Sequence, residues 1–221
     1  MKLRYILLLC IISFSVLHAQ TFSPSASNIA FDNVLVSANK QDSILISNAG
    51  IDTLFITNIT SENNLFSILS SPDTIAGGNS EMFHVTFSPN AIGAQNGNII
   101  FLHNAATSPD TISVSGTGVA PSFTLSHSSV SFGNLLLNTT KQETVFVKNS
   151  GTALLNITNI SSTNSEFSVT PSSATGNAAD SIECIITFSP TSSGIKNCNI
   201  IFTHDAESSP DTLIASGVGF D

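Results

Sequence analysis

The sequence predicts an all-β protein: two tandem immunoglobulin-like β-sandwich domains of about seven strands each, behind a signal peptide. Three observations carry this. The chain repeats itself once, apolar side chains fall at every second position, and turn residues punctuate both copies. No stretch shows the apolar stripe of a helix.

The N-terminus opens with Lys2 and Arg4, runs through apolar residues from Tyr5 to Val16, and reaches Ala19 before Gln20. Early positive charge, a short apolar run and a small residue at the exit form the pattern of a secretory signal, cleaved here after Ala19. Cys10 is preceded by Leu9 rather than a small residue, so it is expected to leave with the signal rather than carry lipid. No later apolar stretch approaches membrane-spanning length.

The repeat sets the domain organisation. Moving the chain by about 101 positions aligns 21–120 with 122–221 without a gap, at about 40% identity. Phe31 meets Phe132, Asn48-Ala49-Gly50 meets Asn149-Ser150-Gly151, Phe87-Ser88-Pro89 meets Phe188-Ser189-Pro190, and Ser108-Pro109-Asp110-Thr111 meets Ser209-Pro210-Asp211-Thr212. The expected layout is 1–19 signal peptide, 20–118 first domain, 119–122 linker and 123–221 second domain. Pro121 stiffens a linker too short to act as a flexible tether.

Strand-forming alternation is visible at Ile29/Phe31, Ile44/Ile46, Phe66/Ile68, Phe83/Val85/Phe87 and Ile112/Val114, and again at Val130/Phe132, Val145/Val147, Phe167/Val169, Ile186/Phe188 and Ile200/Phe202. Between these runs, Gly50 offers positive φ to a turn and Pro89 stops a strand because it has no amide proton. The chain has no Trp, which excludes the Cys-Trp-Cys pattern of antibody domains.

Charge narrows the function. The formal net charge is -9, and loss of Lys2 and Arg4 takes it to about -11. Nucleic acid and a basic membrane-binding face are therefore excluded as expectations. Few charges and abundant Ser, Thr and Asn suit an extracellular β-protein.

The motifs Asn-x-Gly before Leu54 and Leu155, Phe-Ser-Pro-x-x-x-Gly at 87–93 and 188–194, and Ser-Gly-x-Gly at 115–118 and 216–219 together resemble ASH/hydin-type immunoglobulin-like domains. That family is related in fold to major sperm protein, and similar units occur in secreted bacterial proteins of the choice-of-anchor D type. The resemblance covers both copies. It implies a non-catalytic scaffold or interaction module, and the signal peptide implies a bacterial setting. Bacterial relatives often continue into a C-terminal anchoring segment, whereas this chain stops at Gly219-Phe220-Asp221, so a surface anchor stays open.

Candidate sites are few. Cys184 and Cys198 share the parity of the core residues around them and flank Phe188-Ser189-Pro190, expected to lie in a hairpin. Their first-copy counterparts are Phe83 and Gly97, a large residue opposite a small one, as side chains sharing one volume would be. A disulfide between Cys184 and Cys198 is the expectation in an oxidising compartment. His103 and His204 correspond between copies, precede turns and are read as structural. Asp32, Asp52, Asp73 and Asp110 are too scattered for calcium, and no metal site, cofactor site or catalytic constellation is expected. Six Asp-Ser/Thr-aliphatic triplets place Ser43, Thr53, Thr74, Thr111, Ser181 and Thr212 in a pattern similar to the O-glycosylation acceptor of some secreted bacterial proteins; simple strand-entry chemistry predicts the same triplets.

The function expected is a non-catalytic secreted or cell-surface module that spaces or binds other proteins, through an exposed sheet edge. A glycan- or small-ligand-binding module is the alternative, disfavoured because no Trp or Tyr remains after signal removal to stack on a sugar. Lys40, Lys141, Lys148 and Lys196 are too dispersed, with no remaining Arg, to clamp a client carboxylate as a periplasmic chaperone would.

Overall fold

The computed structural model describes residues 19–69 and 73–221; the signal segment up to His18, Cys10 included, lies outside the described residues, as do 70–72. The first copy contributes β1 (Ser23–Pro24), β2 (Asn28–Leu35), β3 (Lys40–Ser47), β4 (Leu54–Ser61), β5 (Phe66–Ile68), β6 (Asp73–Ile75), β7 (Ser80–Phe87), β8 (Gly93–His103) and β9 (Asp110–Val119). The second contributes β10 (Phe123–Leu125), β11 (Ser129–Leu136), β12 (Lys141–Asn149), β13 (Leu155–Ser162), β14 (Phe167–Thr170), β15 (Ala174–Gly176), β16 (Ser181–Phe188), β17 (Gly194–His204) and β18 (Asp211–Phe220). The described residues contain no helix.

In each copy the strands form a four-stranded and a five-stranded sheet: β1-β3-β7-β5 and β2-β9-β8-β4-β6, then β10-β12-β16-β14 and β11-β18-β17-β13-β15. These are two immunoglobulin-like β-sandwiches. Among the described residues each has nine strands rather than seven. The surplus consists of short edge pieces such as the two-residue β1 and three-residue β6, too brief to show a periodicity in sequence.

Alternation turns one face of every sheet inward. In the second sandwich Val145 and Val147 of β12 and Ile186 and Phe188 of β16 face Leu155 and Ile157 of β13, Ile200 and Phe202 of β17 and Leu213 of β18. Phe132, Phe167 and Phe188 form the aromatic centre, with ring centroids 4.5 Å apart for Phe167–Phe188 and 5.6 Å for Phe132–Phe188. The first sandwich repeats this with Phe31, Phe66, Phe83, Phe87 and Phe101. Burying one such ring stabilises by about 1.5–3 kcal/mol.

Two sequence motifs prove to be halves of one contact. A Cβ on Gly116 would stand 2.5 Å from the Phe87 ring, and one on Gly118 would stand 3.0 Å from Pro89. Gly217 and Gly219 lie in the same way against Phe188 and Pro190. The closing Gly-x-Gly is therefore the floor on which Phe-Ser-Pro sits.

The long edge strands are blunted. β11 runs parallel to β18 with a register shift between Ser131 and Asn134, where Gly133 has φ 66°. Lys141 Nζ donates to the Phe132 carbonyl at 3.2 Å. In the first copy Asp32 has φ 56° and Lys40 Nζ donates to the Phe31 carbonyl at 2.8 Å. A bulge and a lysine bonded to a main-chain carbonyl both discourage a further strand from pairing there.

Candidate functional site

The Asn-x-Gly motif builds a heavily bonded polar site in each sandwich. Asn149 is fully buried, and its side chain makes four hydrogen bonds. Oδ1 accepts from the Ser122 and Gly151 amides at 3.1 and 3.0 Å, while Nδ2 donates to the Ala153 and Gly176 carbonyls at 2.8 and 3.0 Å. One side chain thereby ties the entry segment, the β12–β13 connection and edge strand β15. Asn48 does the same with Thr21 and Gly50 amides and Asp52 and Ile75 carbonyls, at 2.7–3.2 Å.

The glycine two residues on serves close approach rather than positive φ, correcting the sequence expectation for Gly50. Positive-φ glycines are Gly78, Gly93, Gly133 and Gly194. A Cβ on Gly151 would meet Ser122 N at 2.6 Å, and one on Gly50 would meet the Ala19 carbonyl carbon at 2.7 Å. Ala120 is held at this point, its amide donating to Thr152 Oγ1 and its carbonyl accepting from the Thr152 and Ala153 amides.

At the ends of β8 and β17, His103 and His204 are buried, each stacked on the aromatic ring of the entry segment: Phe22–His103 at 4.5 Å and Phe123–His204 at 4.2 Å. His204 Nδ1 accepts the Ala206 amide at 3.2 Å, so the ring proton sits on Nε2, which donates to Asp211 Oδ2 at 3.0 Å. Ser208 Oγ also donates to Asp211, at 2.6 Å. Thr107, Asp110, His103 and Ala105 repeat this set in the first copy. The carboxylate stands between hydroxyl and imidazole, so each imidazole bonds to the carboxylate and not to the hydroxyl, unlike the order of a Ser-His-Asp triad. Both clasps close a turn and hold the entry strand.

The Cys184–Cys198 expectation is corrected in its premise. β16 and β17 belong to opposite sheets, because the Phe188-Ser189-Pro190 segment crosses between sheets instead of turning a hairpin. Both cysteines are buried free thiols. Cys184 pairs in register with Val145, and Cys198 with Ala215. Cys198 Sγ lies 3.0 Å from Ser162 Oγ, and burial pushes the Cys184 thiol up to about 11, with Glu183 adding to it. The first-copy counterpart Gly97 adjoins Asn63 and Phe66.

The candidate acceptor hydroxyls are surface groups: Ser43, Thr74, Thr111, Ser181 and Thr212 are exposed, and Thr53 is half-buried. No group of three or more His, Cys, Asp or Glu among the described residues is placed to hold a metal ion. Among the described residues, Phe55, Phe146 and Phe220 are the Phe residues that face outward. Phe55, with Thr57 and Thr74, lines a shallow cleft of 330 Å³ beside β4 and β6.

Sequence reasoning missed Glu166. Its carboxylate accepts from Thr191 N at 2.6 Å, Thr191 Oγ1 at 2.8 Å and Ser192 N at 3.2 Å, and pairs with Lys196 Nζ at 3.0 Å. The Thr191 amide first, then the Thr191 hydroxyl and Lys196, hold its pKa at about 2. The first copy has Leu65, Asn90 and Gln95 at the positions of Glu166, Thr191 and Lys196. This staple belongs to the second sandwich alone, and a feature absent from one copy leaves no trace in the repeat.

Residues 21–117 match the family described as HYDIN/CFA65/VesB-like, Ig-like domain, and residues 117–212 match ASH, the ASPM-SPD-2-Hydin family. The chain belongs to the ASH/HYDIN group of immunoglobulin-like domains. Its two domains of this type occupy nearly all of the described sequence. No curated protein matches the chain. Among solved structures it is similar to a protein of unknown function from Porphyromonas gingivalis W83, at 11% identity and TM-score 0.42, covering 89% of this chain and 99% of that one. It is also similar to the ASH/PapD-like domain 7 of human CEP192, at 15% identity and TM-score 0.42 over 46% and 87% of the two chains. The Vibrio cholerae VesB protease matches at 17% identity and TM-score 0.37 over 43% of this chain and 31% of the protease. At these scores the likenesses carry no functional inference.

Proposed function

We propose that this protein is a non-catalytic, secreted or cell-surface module whose two ASH/HYDIN-type domains space or bind other proteins. The observation that supports this most is that its reactive-looking groups are consumed by the fold. Both His–Asp sets close turns, both buried asparagines bind four main-chain groups, and both thiols sit in the core. What such a protein offers a partner is surface and sheet edge.

Of the long edges, β11 carries a bulge, β2 holds Asp32 at positive φ, and each has a lysine bonded to a main-chain carbonyl, which points strand pairing toward the four-stranded sheets, at β5 and β14. The test is fractionation of the native host with cross-linking, followed by mass spectrometry of culture medium and outer surface. Recovery of the chain from Gln20 onward, cross-linked through 66–68 or 167–170 to a protein, supports the reading. Recovery in the cytoplasm, or with polysaccharide and no protein, overturns it.

The exposed Asp-Ser/Thr hydroxyls make O-glycosylation a companion proposal, and an intact mass equal to the bare polypeptide would end it.

A further inference from the structure

We propose that Gln20 is a modification site, cyclising to pyroglutamate once it becomes the first residue of the mature chain. The inference rests on secretion with cleavage after Ala19, and its own support comes from the repeat.

The residue aligned with Gln20 in the second copy is Pro121. Two contacts of the residues that follow recur in both copies. Thr21 N donates to Asn48 Oδ1 at 3.0 Å and Ser122 N to Asn149 Oδ1 at 3.1 Å. The next residues, Phe22 and Phe123, stack on His103 and His204. In the second copy the fold thus accepts a five-membered ring closed on the main-chain nitrogen, and requires no amide proton there. Pyroglutamate is the same ring with a carbonyl at Cδ.

The chemistry needs only what Gln20 carries. After cleavage its α-amine attacks its own side-chain Cδ. A C–N bond forms and closes a five-membered lactam, the Cδ–Nε2 bond breaks, and the amine proton leaves with the amide nitrogen as ammonia. No oxidant, reductant or second substrate enters. Intramolecular attack through a five-membered ring has the high effective concentration of a tethered nucleophile. In the structure Nε2 donates to the Asn104 carbonyl, at an exposed position where water replaces it. The product chain begins on a neutral lactam that offers aminopeptidases no ammonium group.

The experiment takes the secreted protein from its native host, labels free amines on the intact chain, and then cleaves before aspartate to release the peptide Gln20–Phe31. The expected peptide is unlabelled and lighter than the glutamine form by one ammonia. A labelled peptide of full glutamine mass overturns cyclisation while leaving secretion standing. A peptide that begins elsewhere, or runs on through Ala19, overturns the cleavage and the modification together. As a second arm, the secreted Gln20→Ser variant keeps a free amine. It should take the label and be trimmed by aminopeptidase while the wild type resists; equal trimming of both overturns the proposal.

Discussion

Replacing Asn149 by Leu tests the role of the buried asparagine most directly. Leucine keeps the branching and the number of heavy atoms, with some added bulk, and removes all four hydrogen bonds, stranding the amides of Ser122 and Gly151 and the carbonyls of Ala153 and Gly176. The bond to Gly176 is buried and the other three are partly so. An unsatisfied buried group costs about 1–3 kcal/mol, with the lower end fitting groups near water. Allowing for the apolar gain of leucine, the net loss should be about 3–5 kcal/mol. For a domain of this size that lowers Tm by roughly 12–40 °C. With no Trp in the chain and its one Tyr inside the signal segment, far-UV circular dichroism is the practical readout. Hydrogen exchange of peptides from each copy assigns the transition to the second sandwich. Asn48→Leu should do the same to the first. A loss below about 1 kcal/mol would refute the reasoning, showing that the four groups find other partners at little cost.

Four further outcomes follow from the geometry. Gly217→Ala drives a Cβ into the Phe188 ring and should cost about 1–3 kcal/mol by denaturant melting, with Phe188→Leu in the same chain restoring part of the loss. Ala179 holds φ 69° where the first copy has Gly78 at φ 80°, so Ala179→Gly should stabilise the second sandwich by about 0.5–1 kcal/mol, and a lower midpoint would contradict it. Because the Glu166 pKa is depressed from 4.5 to about 2, its contribution is present above pH 4.5 and lost as pH falls toward 2. Glu166→Gln should therefore flatten the acid dependence of the second sandwich in that window and leave the first unchanged; parallel wild-type and variant acid curves would count against the staple. Finally, without reductant the native protein should resist alkylation, and after denaturation both Cys184 and Cys198 should take the label; no label on the denatured chain would reveal a disulfide.

The sequence by itself determined the repeat, the all-β class and the inward phase of most strands, because each depends on local spacing. Ile186 and Phe188 are buried as their alternation requires, and Val145 and Val147 likewise. Only the tertiary structure decided which strands share a sheet. That choice depends on how connections cross the core, and it separated β16 from β17 and with them Cys184 from Cys198. Tertiary structure also gave the recurring motifs their meaning. Asn149, legible only as a turn residue, became a four-bonded tie because its partners lie up to 27 residues away. Gly217 became the floor beneath Phe188 for the same reason. Glu166 stayed hidden because its partners in 191–196 are brought to it only by the turn between β16 and β17. Periodicity records how much of each strand is buried, whereas the identity of the neighbour across the core is a property of the folded chain.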